Sequence, residues 1–472
     1  MKQELGTRVR SNLAIGCLIA ACGLWACDDG AETNNVNNVN NVNNVNNVNN
    51  VNNVNNVNNV NNVNNVNNVN NVNNLNNHNG FCLPMPAPDG PVVTVGPAQA
   101  GDLRRIVAEA PEGTTIALQD GFYDLSGGDE AARLSFHTPG VALRGASGVR
   151  EDVILDGAYV TGELVSIQAS RVMVADLTLR RAYYHPIHVS GTPGNSIENV
   201  VIYNVVIEDP GEQAIKVNAD GDGYADHSAV RCSRITLSDE GRGHIRNNCY
   251  TGGFDAHLAR GWELSDNFIS GFWCEAGLSE HAIHAWSNCR DTLVERNVIV
   301  DCARGIGFGL GETGASRPWE DDPYPGITYA GHLDGLIRAN FIAASSAALD
   351  ASDSGFDCGI CLEQAHGTWV AHNTVAATIT PFSAIEWRWD DTLVFLYNNL
   401  VTHNLRDRGG VSTREGNVEG FDAACFTDLA AGDLHLDGAC VLAPVSEVPG
   451  SRAPQDIDGE TPASRVAGAD WP

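Results

Sequence analysis

A short alternation of apolar and polar residues returns about once per 25 residues through most of the chain. In each copy the first and third positions are mostly apolar, and the second and fourth are mostly polar, charged or aromatic. Because alternate residues of a strand point to opposite faces, each copy predicts a strand with one buried and one wet face. Repeats of this length are typical of stacked units that share one core. The copies are Ile187–Ser190, Ile215–Asn218, Phe254–His257, Ile283–Trp286, Ile306–Gly309, Ile360–Glu363, Ile385–Arg388 and Val411–Arg414.

A second recurrent strand precedes these copies, and asparagine returns at one position of it. Asparagines stacked at the corner of a coil can hydrogen-bond along the stack, and they tolerate left-handed backbone conformations. We therefore expect a structural ladder rather than a catalytic feature. The segments are Tyr203–Val206, Asp266–Ile269, Arg296–Ile299, Ala339–Ile342, His372–Val375 and Asn398–Val401.

The region 101–125 predicts a short helix followed by a strand. Leu103, Ile106 and Val107 have helical spacing, Pro111–Gly113 ends the run, and Thr114–Leu118 alternates as a strand does. A helix at this point would cover the open end of a stack of coils, which terminal units require.

This beginning resembles the N-terminal cap and first coil of right-handed parallel β-helix proteins of the pectate-lyase type. Leu143–Ser147 and Val153–Gly157 continue the resemblance, and Gly432–Leu436 with Asp456–Gly459 resembles the closing segment of many exported β-helix proteins. The resemblance covers residues 101–472. It implies an all-β fold, a right-handed parallel β-helix with a helical N-terminal cap, but a fold does not fix an activity.

The chain divides into five predicted regions. Residues 1–26 carry basic residues and then a short apolar run, as an export signal does, and Leu24–Cys27 resembles a bacterial lipobox. That resemblance makes Cys27 the lipidated residue, with Cys22 as the alternative. Residues 27–80 hold the anchor and an Asn-Asn-Val array, which predicts a disordered tether. The N-terminal cap and first coils occupy residues 81–160. The right-handed parallel β-helix occupies residues 161–420, and the C-terminal closing segment occupies residues 421–472.

Charge and cysteine content narrow the function classes. The formal net charge is −30, which excludes a preference for nucleic acid or anionic membranes. We expect an exported outer-membrane or cell-surface lipoprotein that touches the membrane only through its lipid, binds no nucleic acid and is a monomer. Export permits disulfides. We predict that Cys232 pairs with Cys249 and Cys425 with Cys440, and that the Cys358–Cys361 motif is structural rather than redox-active.

Aligning the copies by their inward apolar residues predicts two outward columns on one ribbon of surface. Neighbours in a column of stacked strands lie about 4.8 Å apart. The ribbon would therefore bring amine, imidazole, carboxylate, indole and guanidinium groups together, and a merely polar exterior is the alternative. The second-position column reads His188, Lys216, Asp255, His284, Gly307, Cys361 and Glu386, and the fourth-position column reads Ser190, Asn218, His257, Trp286, Gly309, Glu363, Arg388 and Arg414.

Lys216 is the only lysine after Lys2. The segment Gly211–Lys216 resembles the Glu…Ile…Lys segment of polysaccharide lyases of the alginate-lyase and chondroitinase-B type. The resemblance implies that Lys216 removes the proton alpha to a uronate carboxylate, with assistance from an arginine one coil on. The arginines that follow Lys216 in the chain are Arg231, Arg234, Arg242 and Arg246, and we name Arg304 and His284 as further candidates for the assisting role. It also implies calcium as the cofactor that neutralises the carboxylate. A plain surface lysine is the alternative.

The sequence offers two candidate metal sites. Asp220, Asp222 and Asp226 lie in an oxygen-rich turn that suits calcium, and an ordinary Asp/Gly turn is the alternative. Zinc is a second option if Asp255 and His257, which share a face, meet His284. The glycines Gly305–Gly309 would bare the groove beside His284 for a bulky ligand.

These residues predict a surface protein that binds an extracellular polysaccharide and cleaves it by β-elimination. Asp255 and His257 would position substrate or metal, and Trp286 would stack on a sugar ring. Two alternatives stay open: a non-catalytic adhesin or structural solenoid, and a glycoside hydrolase that uses a carboxylate pair such as Glu363 with Glu386. The remaining predicted substrate contacts are His188, Asn218, Glu363 and Arg388.

Overall fold

The computed structural model describes residues 81–461 and 463–471. The predicted signal, the lipidation site Cys27 and residues 28–80 of the tether lie outside the described residues. Within the described part the chain winds into stacked coils whose strands pair in parallel, so the predicted all-β parallel β-helix is confirmed. No helix in this part is long and apolar enough to cross a membrane.

Sheet 1 has ten strands and carries the predicted ribbon. Each strand pairs in parallel with the corresponding strand of the next coil, in stack order. Its members are Leu134–Phe136, Glu163–Ile167, His185–Ser190, Gln213–Asn218, Gly252–His257, Ile283–Trp286, Arg304–Phe308, Cys358–Glu363, Ser383–Arg388 and Leu405–Arg408.

Two further sheets run along the same stack. Sheet 2 also has ten strands: Gly121–Asp124, Val153–Asp156, Thr178–Arg180, Val206–Glu208, Arg234–Thr236, Phe268–Ser270, Val298–Val300, Phe341–Ala344, Thr374–Ala377 and Leu400–Val401. Sheet 3 has fourteen: Val92–Val95, Thr115–Leu118, Ala142–Gly145, Met173–Ala175, Val201–Tyr203, Ala229–Arg231, Glu263–Ser265, Cys289–Arg290, Leu293–Glu295, His332–Leu333, Leu336–Arg338, Ala365–Ala371, Leu393–Tyr397 and Val411–Glu415.

The remaining elements are short and sit at corners or ends. Ile197–Glu198 pairs with Ala225–Asp226 in parallel, and Phe426–Asp428 pairs with Asp433–Leu436 in an antiparallel hairpin. The α-helices are Ala100–Glu109, Asp129–Ala132, Asp239–Arg242 and Ala347–Asp350, and the 3-10 helices are Pro97–Gln99, Arg150–Asp152, Ala423–Cys425 and Leu429–Ala431.

The first α-helix, Ala100–Glu109, forms the predicted cap. It buries Leu103 and Val107 in the main apolar core, and Ile106 packs partly against that core. The strand that follows begins at Thr115, close to the predicted start. The helix therefore covers the apolar interior at this end of the stack.

The inward apolar positions stack in one register through sheet 1. Ile215 lies opposite Phe254, Phe254 opposite Ile283, and Ile283 opposite Ile306. These side chains are at most 1% exposed. Because the side-chain period of a strand is two, this register also places the polar residues that follow on one outer face.

One predicted copy belongs to another sheet. Val411–Glu415 pairs with Leu393–Tyr397 in sheet 3, and Leu405–Arg408 takes the last place in sheet 1. The glycines at 409 and 410 both have positive φ, which turns the chain between the two strands. Arg414 is therefore not in the fourth-position column, where Arg408 lies opposite Arg388 instead.

The asparagine ladder is present and buried. Asn267, Asn297, Asn340, Asn373 and Asn399 are at most 2% exposed, and each Oδ1 from Asn297 onward accepts from the backbone N–H and the side-chain amide of the preceding member. The left-handed residue is the one before each ladder position, as at Arg296, where φ is 50°.

Asn204 is not part of this ladder. Val206 and Arg234 lie opposite each other, as do Arg234 and Phe268, so the ladder position in that coil is Val205. Asn204 stands one residue earlier, in the left-handed region with φ of 49°, and donates to Asp176. The sequence alignment of this coil was wrong by one residue.

Four disulfides are formed among the described residues. Cys82 pairs with Cys232 and Cys249 with Cys274, so the predicted Cys232–Cys249 pair is wrong, whereas the predicted Cys425–Cys440 pair is confirmed. Cys358 and Cys361 are also joined. The prediction for Cys232 assumed a partner nearby in the sequence, whereas its partner, Cys82, lies 150 residues earlier.

We expect Asn297→Ala to lower the free energy of unfolding by about 3 kcal/mol, because it leaves the buried amide groups of Asn267 without their acceptor and the backbone oxygen of Leu264 without this donor. Asn417→Ala, at the half-buried end of the ladder, should cost only about 1 kcal/mol. Urea unfolding followed by tryptophan fluorescence measures both. Equal losses at the two positions would contradict a ladder that acts through burial.

Candidate active site

The register of sheet 1 brings Lys216, Asp255 and His284 side by side on its outer face. Lys216 lies opposite Asp255, and Asp255 opposite His284, on three successive strands. His257 and Trp286 lie opposite each other in the neighbouring column. Lys216 and Asp255 are 39 residues apart in sequence, and His257 and Trp286 are 29 apart, but the members of each pair lie on neighbouring strands. We call Lys216, Tyr250, Asp255, His257 and Trp286 the Lys216 cluster.

The amine of Lys216 has three acceptors. Its Nζ donates to Asp255 Oδ2, to the hydroxyl of Tyr250 at 2.9 Å and to His257 Nε2 at 3.1 Å. The side chain is only 6% exposed and that of Asp255 1%. An ammonium offers three hydrogens, so all three are engaged in this arrangement.

Burial and charge act in opposite directions on this pair. Burial alone lowers the pKa of Lys216, but the charge of Asp255 and the contact with Tyr250 outweigh it and raise that pKa. Burial likewise opposes ionisation of Asp255, and the charge of Lys216 holds the pKa of Asp255 well below its usual range. Lys216 is therefore an ammonium at neutral pH, and Asp255 is a carboxylate.

His257 has a defined tautomer. Trp286 Nε1 lies 2.7 Å from His257 Nε2, and Lys216 Nζ lies 3.1 Å from the same atom. An indole N–H and an ammonium can only donate, so Nε2 carries a lone pair and the ring proton sits on Nδ1. The His257 side chain is 25% exposed, which makes it one of the wetter members of the cluster.

Tyr250 is a member that the sequence analysis missed. It ends an insertion between the strands of Lys216 and Asp255, which contains the helix Asp239–Arg242. Burial, followed by the charge of Asp255, raises the pKa of Tyr250, so the phenol is neutral. The signal in the sequence was the 39-residue interval between Lys216 and Asp255, well above the usual coil length.

A second layer lies beneath the surface. His284 is fully buried, with Nδ1 3.3 Å from Asp255 Oδ1 and 3.3 Å from Glu280 Oε2. Burial lowers the pKa of His284, but contacts with Asp255 and Glu280 outweigh it and raise that pKa to about 9. Glu280 was also missed by sequence reasoning, because it precedes the strand that carries His284.

Arg304 belongs to this second layer too. Its side chain is 9% exposed, donates to the backbone oxygen of Ser279 and lies 3.7 Å from Glu280 Oε2. His284 is fully buried, and Arg304 is held by Ser279 and Glu280, so each is placed to act through Glu280 and Asp255 rather than by touching a ligand. Their predicted assisting roles stay predictions.

The glycines beside His284 do not bare a groove. The position that a Cβ of Gly307 would occupy lies 2.5 Å from the ring of His281, so that ring fills the space. A Cβ at Gly309 would meet the backbone oxygen of Glu363. The expectation of an opening there is corrected: both glycines allow close packing.

The predicted substrate residues fall at two places along sheet 1. His188 lies opposite Lys216 on the preceding strand, bonds through Nδ1 to Glu163 at 2.6 Å, and faces Asn218 at 3.5 Å. At the other end, Arg388 pairs with Glu363 at 2.6 Å. The two groups flank the Lys216 cluster along the stack.

The two carboxylates considered for hydrolysis are both engaged. Glu363 accepts from Arg388 and from the backbone of Gly311. Glu386 accepts from Arg408 at 2.6 Å and from Ser383 at 2.7 Å. Glu363 and Glu386 are 3% exposed and stand in different outward columns.

The three aspartates considered for calcium have different surroundings. Asp226 is buried and receives both guanidinium nitrogens of Arg317 at 2.7 Å. Asp222 is exposed and accepts from the backbone of Gly194, and Asp220 is exposed in the same turn. The calcium prediction stays untested, and Asp226 already has a counter-charge.

No family model and no curated protein matches the chain. Among solved structures it is similar to the pectate lyase Pel9A, with 13% identity over 81% of this chain and 96% of that one, and a TM-score of 0.48. It is similar to an alginate lyase from Paenibacillus sp. str. FPU-7, with 15% identity over 68% and 97% and a TM-score of 0.47. It is also similar to PfbA, a surface adhesin of Streptococcus pneumoniae, with 10% identity over 64% and 83% and a TM-score of 0.30.

We expect Lys216→Met to lower the free energy of unfolding by about 3 kcal/mol, because it leaves the buried Asp255 without its main counter-charge. The double variant Lys216→Met/Asp255→Asn should recover part of that loss. Arg171→Met, which removes an exposed ion pair with Glu112, should change it by less than about 1 kcal/mol. Urea unfolding at pH 7 measures all three, and a double variant no more stable than the single one would contradict the coupling.

Proposed function

We propose that the chain binds an extended, acidic extracellular polysaccharide along the outer face of sheet 1 and cleaves it by β-elimination at the Lys216 cluster. The observation that carries the proposal is the contact of Lys216 Nζ with Asp255, Tyr250 and His257. These groups can hold or move a proton, and they surround one positive charge. β-Elimination needs a base, a proton donor and a cation beside the substrate carboxylate.

Within this proposal the role of each group follows from its protonation state. Lys216 supplies the positive charge that attracts the uronate carboxylate and stabilises the negative charge that develops on it. Tyr250 is neutral and accepts from Lys216, so its own O–H is free to protonate the leaving glycosidic oxygen. For Lys216 to act as the base it must first pass a proton to His257, whose Nε2 lies 3.1 Å away. The positive charge then stands on the His257 imidazolium, and the neutral amine of Lys216 takes the α-proton and becomes an ammonium again.

Basic residues on the outer face support an acidic substrate in a chain of net charge −30. In addition to Lys216, sheet 1 carries Arg388, Arg406 and Arg408 at outward positions near its end. Arg406 and Arg408 flank the exposed ring of Phe382, at 3.9 and 4.9 Å. Trp286, partly exposed beside His257, offers a face for a sugar ring.

The other two function classes are less well supported. A hydrolase built on Glu363 and Glu386 would need two available carboxyl groups, and arginines hold both of these. An adhesin would have no use for a buried ammonium between a phenol and an imidazole, although it would use the same arginines and Trp286. Export and anchoring through Cys27 remain part of the proposal, and the four disulfides fit an oxidising compartment.

We expect Tyr250→Phe to reduce elimination by at least about 100-fold with little change in binding, because it removes only the proton-donating hydroxyl. The assay follows the absorbance of the unsaturated product on a panel of uronate polymers, with and without calcium. Tyr203→Phe is the matched control, since Tyr203 lies in sheet 3 and its hydroxyl donates to the backbone oxygen of Leu83.

Three results would overturn the elimination proposal. One is that every uronate polymer remains intact in the wild-type assay, with and without calcium. Another is that Tyr250→Phe retains full activity, and the third is that Tyr203→Phe loses as much. Retained glycan binding without any cleavage would instead favour the adhesin.

A further inference from the structure

The layer beneath the Lys216 cluster concentrates buried polar atoms that make no aligned hydrogen bond. Asp255 Oδ1 and Glu280 Oε2 each lie 3.3 Å from His284 Nδ1 as ion-pair partners, and neither ring nitrogen of His281 has a hydrogen-bond partner. Leaving one buried polar group unpaired costs about 1–3 kcal/mol. Five such atoms in one place indicate that they serve a shared partner.

The distances between these atoms fit the edges of a coordination shell. His284 Nδ1 lies 3.3 Å from Asp255 Oδ1 and 3.3 Å from Glu280 Oε2, and His281 Nδ1 lies 3.9 Å from Glu280 Oε2. Ligand atoms bound at about 2.0–2.1 Å to a tetrahedral zinc ion are about 3.3 Å apart. One ligand atom from each of Glu280, His281 and His284 lies within 4.8 Å of the other two.

A single proton satisfies this geometry poorly. The one N–H that Nδ1 of His284 can carry would have to serve two carboxylate oxygens at the same distance, and it is aligned with neither. A proton on His284 would also leave His281 without any partner. An ion placed between Glu280, His281 and His284 would engage one atom of each.

The other atoms of the same side chains are already held. His284 Nε2 lies 3.3 Å from the backbone oxygen of Gly309, which can only accept, so Nε2 carries a hydrogen and Nδ1 is available as a ligand. Asp255 Oδ2 accepts from Lys216, which leaves Oδ1. Metal-binding histidines commonly donate their second ring nitrogen to a carbonyl in this way.

We propose that Glu280, His281 and His284 bind one divalent metal ion of the zinc class. Two imidazoles and carboxylates suit zinc, whereas calcium takes oxygen ligands. The site is distinct from the calcium turn at Asp220–Asp226. It goes beyond the proposed elimination, because binding of the ion is measured without any substrate.

Cations compensate the carboxylates at and beside the site. Arg304 lies 3.7 Å from Glu280, and Asp255 beside His284 is paired with Lys216. His281 and His284 are fully buried, but the Glu280 side chain is 17% exposed. Glu280 therefore marks the path from solvent.

The test uses the full chain, purified without reductant, stripped with a chelator and titrated with Co²⁺ and then Zn²⁺. We expect one ion per chain by elemental analysis, visible absorption bands typical of tetrahedral Co²⁺ that Zn²⁺ abolishes, and a melting temperature that rises with Zn²⁺. These measurements on the wild type do not depend on the folding of any variant. An apo chain that binds neither ion overturns the proposal.

Variants then locate the ion. His281→Gln and His284→Gln should each weaken Zn²⁺ binding by more than about 100-fold. His332→Gln is the matched control, because His332 is equally buried but bonds to Thr292 outside the cluster. Unchanged affinity in either ligand variant, or an equal loss in the control, overturns the proposal.

A further result distinguishes the proposed site from a neighbouring one formed by His281 with Cys358 and Cys361. His281 also lies near Cys358 and Cys361, whose sulfurs are joined in a disulfide. Zn²⁺ binding that appears only after reduction, and that Cys361→Ser abolishes, would place the ion on the thiolates and overturn the proposal. Binding to the oxidised chain supports it, whatever the outcome of the elimination assay.

Discussion

The rest of the structure depends on one constraint, the register in which successive coils stack. Inward residues such as Ile215, Phe254 and Ile283 stack directly over one another, and a slip of one residue would turn every outward side chain into the core. Corners are fixed independently by the asparagine ladder, whose buried amides bond both up and down the stack. The register of the core holds Lys216 against Asp255 although a long loop separates them in sequence, and the ladder fixes the corners of the coils from Asn267 onward.

The columns could be predicted from the sequence because they depend only on the two-residue period and on apolar spacing. Features that depend on a turn or a loop could not. The place of Val411 depends on the left-handed glycines 409 and 410, and the ladder alignment at Asn204 shifts by one residue through local backbone geometry. Tyr250 and Glu280 come from segments outside the repeat, so no periodic argument reaches them. Their contacts with Lys216 and His284 are set by where those segments fold.

Charge alternation explains how so many ionisable groups can be buried on one face. With His284 protonated, the order Lys216, Asp255, His284, Glu280, Arg304 alternates in sign, and each member contacts or faces the next within 4 Å. Burying an unpaired charge is costly, whereas a compensated series keeps each charge close to an opposite one. Removing one member therefore affects its neighbours, and Lys216 is linked electrostatically to Glu280 through Asp255 and His284. This linkage makes the two layers one electrostatic unit.

Covalent structure reinforces the same linkage. The disulfide between Cys249 and Cys274 joins the segment that ends in Tyr250 to the segment that leads to Glu280. Neither segment belongs to a sheet strand at these positions, so the repeat alone does not hold them. Because the bond lies next to Tyr250 in the chain, it limits how far the phenol can move from Lys216 while the coils stay stacked. The strands of sheet 1 thus position Lys216, Asp255 and His284, and the Cys249–Cys274 disulfide holds the loops that carry Tyr250 and Glu280 beside them.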